Sequence, residues 1–187
     1  MRHLTAEERD DLRDAVRLAA VALRDAGVGF ALCGGYAAFA RGGPEPSHDA
    51  DFVVRPQDVD AAREALAAAG LDLHEPAEDW LFKAYHRGEL IDLIHVLGGA
   101  PVDDRLLARA DEMEVLAVRM PVLDATDVVA SKLAALAEHD CDFGALLPVI
   151  RALREQVDWV RVRGTVEGNP YAESFLHLTD RLSITSP

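Results

Sequence analysis

Three aspartates in this chain are spaced to do metal chemistry. Two stand in Asp49-Ala50-Asp51, at the head of the apolar run Phe52-Val53-Val54. In a strand, residues i and i+2 point to one face, so the two carboxylates project together. Side by side they repel, and one stays protonated unless a cation sits between them. The third is Asp92, in the run Glu89-Leu90-Ile91-Asp92-Leu93-Ile94-His95-Val96, where it shares a strand face with Leu90 and Ile94. A lone carboxylate on an apolar strand face is costly to bury without a partner. A metal ion shared by Asp49, Asp51 and Asp92 is such a partner. Mg²⁺, held by carboxylates and by substrate phosphates, is the usual choice.

The neighbouring stretches read as the frame for these groups. Phe30-Ala31-Leu32-Cys33 is a short buried strand, followed by the pair Gly34-Gly35 and a small-residue helical turn. The glycines let the backbone approach a phosphate, and the helix start offers free N–H groups. The Gly/Pro-rich loop from Arg41 to Ser47 shapes substrate access. Trp80 to Arg87 and Glu89 to Val96 read as antiparallel strands joined at Arg87-Gly88-Glu89. On the first of them Lys83 falls with Tyr85 and Arg87, on a face expected to be exposed. Asp124 or Thr126 caps a helix running to about Glu138 that carries Lys132. Lys132 either reaches a nucleotide phosphate or is an ordinary helix-surface lysine. Asp142 either orients a base or holds Lys132, or else caps the helix that begins at Phe143. His48 either contacts substrate or stands in an exposed loop.

The remaining elements follow from pattern. Thr5-Ala6-Glu7-Glu8 is a capping box that opens a helix to about Ala26, with Leu12, Ala15, Ala19, Ala22 and Leu23 at helical spacing. Its expected task is to cover the sheet. Gln57 to Ala69 is an alanine-rich helix, Leu71 to Leu73 a short strand, and Pro101 to Ala110 a short helix. Met113 to Val118 is a strand with Pro121-Val122-Leu123 as an extension. Phe143 to Glu155 is a helix with Pro148 inside it, Val157 to Val162 is extended or a short helix with Trp159 as a core anchor, and Pro170 to Leu182 is a final helix. The order predicts an α/β (α+β) fold: a mixed sheet flanked by helices, with a core over 1–123 and a helical C-terminal part over 124–187 packed on it.

Composition bounds the partners. The 187 residues are half hydrophobic, which suits one domain with a sizeable core. No apolar run is long enough for a membrane helix, so no membrane partner is expected, and MRHLTAEERDD lacks the apolar core of a signal peptide. Cys33 and Cys141 have no metal-type spacing and read as free thiols in a reducing cytoplasm. The net charge is -14, and residues 28–147 hold nine Lys/Arg against 22 acids. That field is awkward for a large nucleic acid, whose binding leans on basic side chains. Arg151 and Arg154, with Arg161 and Arg163 alternating on a possible strand, either form the one basic patch able to hold an RNA end or pair with neighbouring acids. Arginine outnumbers lysine 17 to 2, which draws attention to Lys83 and Lys132.

The constellation of Gly34, Gly35, Asp49, Asp51 and Asp92 resembles the nucleotidyltransferase fold of the polymerase-β type. Within that superfamily, Ala130-Ser131-Lys132-Leu133-Ala134-Ala135-Leu136, followed by Asp142, is most similar to the AbiEii/MenT-type toxins. The resemblance covers roughly Phe30 to Leu147. It implies a Mg²⁺-dependent transfer of a nucleoside monophosphate from an NTP to an acceptor. Asp49, Asp51 and Asp92 would be the metal ligands and catalytic carboxylates, with Asp92 as the alternative base. Gly34, Gly35, Ser47, Lys132 and Asp142 would meet the nucleotide. By the same resemblance the acceptor is the 3′ end of a tRNA, and the chain a toxin with a cognate antitoxin protein. Two departures stand out: Gly35 replaces the usual serine, and Glu45 falls where many members carry arginine. Two alternatives are therefore kept: a small-molecule, antibiotic-type nucleotidyltransferase, and an inactive fold member that serves as a binding module.

Overall fold

The computed structural model describes residues 5–46 and 48–185. Helix α1 (Ala6–Asp25) opens on the expected capping box: the Glu8 N–H donates to the Thr5 hydroxyl, and the Thr5 N–H donates to the Glu8 carboxylate. Its buried stripe is Leu12, Ala15, Val16, Ala19, Ala20 and Leu23. Truncating Leu23, which is fully buried, to alanine removes about 2–5 kcal/mol of packing. The helix packs on the sheet and on α3, as the stripe requires.

The chain then runs β1 (Phe30–Cys33), α2 (Gly34–Ala40), β2 (Asp49–Val54), α3 (Val59–Ala68), β3 (Asp72–His74), β4 (Leu81–His86), β5 (Glu89–Ile94), β6 (Val96–Leu97) and β7 (Ala100–Pro101). It continues with α4 (Asp104–Leu107), β8 (Asp111–Val115), β9 (Val118–Val122), α5 (Ala125–Ala134), α6 (Phe143–Leu153), α7 (Trp159–Thr165) and α8 (Pro170–Arg181). Among the described residues, seven strands form one sheet in the order β3-β4-β5-β2-β1-β9-β8. β2 pairs parallel with β5 and β1 parallel with β9, while the other pairs are antiparallel, so the sheet is mixed as expected. Among the described residues, no helix is long and apolar enough to cross a membrane.

Two hairpins shape the sheet. β4 and β5 are joined at Arg87-Gly88, both with positive φ, the two-residue turn whose twist matches the strands. The turn sets the register His86 to Glu89, and three steps further Lys83 to Asp92. β8 and β9 form the second hairpin, turned at Leu116-Ala117, again with positive φ. The sequence reading of Met113 to Val118 as one strand is corrected here. Neither Leu116 nor Ala117 is a turn residue by type, so nothing local marks the reversal.

Other boundaries shift for identifiable reasons. The helix expected over Pro101 to Ala110 is only α4, because Ala100 and Pro101 pair with Val96 and Leu97 in a small separate hairpin. α5 ends at Ala134 rather than Glu138, and Asp124 is its cap: the Asp127 N–H donates to its carboxylate. Thr126 instead accepts from the Asp158 N–H. Arg161 and Arg163 lie on α7 rather than on a strand, since Asp158 caps that helix through the N–H groups of Val160 and Arg161. Trp159 is only partly buried against the core.

Candidate active site

The strand period places the first two carboxylates. Along β2, Ala50 and Phe52 are fully buried, while Asp49 and Asp51 turn to the opposite face and are half-buried. Because β2 and β5 run parallel in register, Asp51 lies directly beside Asp92. Carboxylate oxygens of Asp49, Asp51 and Asp92 all lie within 4.8 Å of one another. The three sequence-predicted acids therefore meet at one point.

The electrostatics show what this point lacks. Burial, then Asp49 beside it, pushes Asp51 up to about 7, against the pull of Lys132. Burial also raises Asp92, opposed by Lys83. One Asp92 oxygen, Oδ1, is buried and has no hydrogen-bond partner among the described residues. Lys83 Nζ stands 3.6 Å from it, an ion-pair distance but too long for a hydrogen bond. Three converging carboxylates, one holding its proton near neutrality and one with an orphaned oxygen, are a donor set of the type that hard divalent cations take. The site fits such an ion.

The glycine pair serves the carboxylates. The Gly35 N–H donates to Asp51, which partly offsets the carboxylate's burial. At Gly34, whose φ is +58, a Cβ would overlap the Asp51 carboxylate. Gly34 is thus the residue that lets α2 start against β2. Cys33, in register beside Asp51, is buried, and burial raises its thiol well above the ordinary range.

A cleft of about 790 Å³ opens from this corner. One wall carries Gly35, Glu45, His48, Asp49 and Asp51, and the other carries Lys132 and Asp142 with the apolar Leu136, Leu146 and Val149. Lys132 makes no ion pair among the described residues and is half-buried at the cleft wall. Asp142 stands at the exposed end and caps α6, accepting from the Ala145 N–H at 3.0 Å. His48 is exposed, with Nδ1 at 3.0 Å from Asp49 Oδ1. Ser47 lies outside the described residues. Glu45, at the position where the resemblance expects arginine, is held in two-point contact by Arg13 of α1, at 2.7 and 2.9 Å.

Lys83 is the site residue that sequence reasoning assigned wrongly. It was expected on an exposed face, but the β4–β5 register turns it toward Asp92. The signal was in the sequence: a two-residue turn at Arg87-Gly88 fixes which residues face each other. The arginines of α7 are not brought to the cleft as a free patch. Arg161 holds Asp124, and Arg163 holds Asp180.

The chain matches no protein-family model. No curated protein resembles it in sequence. Solved structures do resemble it in shape. The crystal structure of ANT(2'')-Ia in complex with adenylyl-2''-tobramycin matches at a TM-score of 0.62 and 13% identity, over 89% of this chain and 97% of that one. The lincosamide antibiotic adenylyltransferase LnuA, lincomycin-bound, matches at 0.50 and 13% identity, over 79% of this chain and 96% of that one. An antigenic nucleotidyltransferase-like protein from Paracoccidioides brasiliensis matches at 0.50 and 13% identity, over 94% of this chain and 92% of that one. Likeness at such identities is likeness of fold, and the fold is that of the nucleotidyltransferases.

Proposed function

We propose that this chain is a Mg²⁺-dependent nucleotidyltransferase that moves a nucleoside monophosphate from an NTP to a hydroxyl of a small basic molecule. The observation that carries the reading is the meeting of Asp49, Asp51 and Asp92 within 4.8 Å, with one buried Asp92 oxygen that has no hydrogen-bond partner among the described residues. When bound there, a divalent cation supplies charge neutralisation for the triphosphate and the departing pyrophosphate. Asp49 and Asp51 would hold it, and Asp92 would complete the set.

The protein's own groups account for the rest of the reaction. The attacking hydroxyl forms the new P–O bond at the α-phosphorus as the α–β phosphoanhydride bond breaks and pyrophosphate leaves. Asp92, at the edge of the carboxylate cluster, would take the hydroxyl proton. Lys132, without an ion-pair partner among the described residues, would sit against the phosphates. The apolar wall of Leu136, Leu146 and Val149 would exclude water from the nucleoside, with Asp142 at its rim. Gly34 and Gly35 would act by shaping and bonding Asp51.

The acceptor class follows from charge. Asp49, Asp51, Asp140 and Asp142 line the cleft against Lys132, while Glu45 on the same wall is matched by Arg13. None of Arg151, Arg154, Arg161 and Arg163 lines the cleft, and Arg154 pairs with Glu155, Arg161 with Asp124 and Arg163 with Asp180. Such a cleft attracts a cationic small molecule and repels a polyanion. The fold neighbours in complex with adenylyl-2''-tobramycin and with lincomycin are consistent with this. The tRNA 3′ end, a toxin role and an antitoxin partner rest on the resemblance at Lys132 and Asp142.

The test is incubation with Mg²⁺ and each α-labelled NTP, offering a panel of aminoglycosides and lincosamides in one arm and bulk tRNA in the other. An Asp51→Ala control runs beside both. Label on a basic small molecule, made by the wild type alone, supports the reading. Label on tRNA replaces it with the toxin reading. No transfer in either arm and no NTP binding returns the chain to a binding module.

A further inference from the structure

The sheet register lays one row of side chains across five strands: His74, Lys83, Asp92, Asp51 and Cys33 are successive lateral neighbours. In this row Lys83 faces, at 3.6 Å, the one Asp92 oxygen that is buried and has no hydrogen-bond partner among the described residues. The choice of side chain is informative. The chain uses arginine 17 times and lysine twice, and both lysines stand at this carboxylate cluster, Lys132 on the cleft wall and Lys83 beyond Asp92. Elsewhere acids are gripped by arginine forks, as Glu45 is by Arg13 and Asp127 by Arg109. A guanidinium would lock both oxygens of Asp92. An ammonium on a flexible stem is a single point charge that can withdraw, and the Lys83 side chain keeps 28% of its surface in solvent.

We infer that Lys83 is a placeholder counter-ion: it balances Asp92 while no metal is bound and gives up that oxygen when a divalent cation engages the three carboxylates. The inference rests on the metal reading above and adds a competitor built into the chain. Its consequence is that the free protein binds Mg²⁺ weakly and takes the ion chiefly together with the NTP, whose phosphates supply the missing ligands. Lys83 is a positioning residue here, because it acts through Asp92.

The test is Mn²⁺ binding without nucleotide, followed by electron paramagnetic resonance and calorimetry. It compares the wild type with Lys83→Met, Lys83→Gln and Lys83→Arg. Removing the charge in the Met and Gln variants is expected to tighten Mn²⁺ binding about tenfold, since a repelling and competing cation is gone. Damage to the fold would weaken binding, so a gain cannot come from it. Lys83→Arg keeps the charge and is expected to bind no tighter than the wild type. Unchanged or weaker Mn²⁺ binding in both the Met and Gln variants would overturn the inference while leaving the metal site standing. If none of the four proteins binds Mn²⁺, even with an NTP, the metal reading itself fails and the inference falls with it.

Discussion

Two acidic corners of this molecule are built from the same residue type and end in opposite states. At the start of α5, Asp124 and Asp127 are surrounded by arginine. Arg161 holds both oxygens of Asp124 at 2.8 Å, and Arg109 holds both oxygens of Asp127 at 2.7 and 3.1 Å. Burial pushes Asp124 up, but the hydrogen bonds from Arg161 and from the Asp127 N–H outweigh it and hold the carboxyl below its ordinary value. At β2 and β5, Asp49, Asp51 and Asp92 have Lys83 at 3.6 Å from Asp92, Lys132 across the cleft, a histidine and one backbone N–H, and Asp51 is still pushed up to about 7. An acidic corner with matched cations is structure, whereas one left short of them is set aside for a ligand that brings positive charge.

This contrast can be broken by substitution. Asp51→Ala is expected to lower nucleotidyl transfer by about a thousandfold or more, the scale of a lost metal ligand. The metal-free variant should melt no lower than the wild type at pH 8, because a poorly balanced buried charge has been removed. Asp124→Ala should do the reverse. It leaves transfer chemistry intact but costs about 2 kcal/mol in denaturant unfolding, from a lost helix cap and an arginine left without its partner.

The two corners also predict opposite pH slopes. Asp51, raised from 3.8 to about 7 in the fold, binds a proton that the unfolded chain has already released. Its contribution to the metal-free protein is full below pH 4 and is lost as the pH rises to 7 and above, on the order of 4 kcal/mol. Asp124, held low, contributes above its ordinary value, and that contribution is lost on acidification. Mg²⁺ should therefore raise the melting temperature more at pH 8 than at pH 5, a difference that disappears in Asp51→Ala. The smallest effect belongs to the surface. Arg163, paired with Asp180 in an exposed setting, should change stability by about 0.5 kcal/mol or less on truncation, and transfer not at all.

Much of the acidic corner was legible because it follows from local periodicity. Asp49 and Asp51 share a face by the strand period, and Asp92 is conspicuous as an acid among Leu90, Ile91, Leu93 and Ile94. The mixed sheet with flanking helices followed from the same patterns. What was missed depends on which residues meet across strands or between helices. Lys83 was placed in solvent because its strand was read without its partner, although the Arg87-Gly88 turn fixed the pairing. The β8–β9 hairpin has no such marker, since Leu116 and Ala117 take left-handed backbone without a turn residue's chemistry. The alternation Val160-Arg161-Val162-Arg163 imitates a strand, and only the Asp158 cap and the packing of α7 on α5 make it a helix.

The most direct measurement is a crystal soaked with Mn²⁺ and a non-hydrolysable NTP, examined by anomalous scattering. The account predicts an anomalous peak among Asp49, Asp51 and Asp92, with the triphosphate on its open side toward Lys132 and no peak at Asp124 and Asp127. Nucleotide bound elsewhere, or no metal at the three carboxylates under saturating Mn²⁺ and NTP, would contradict it.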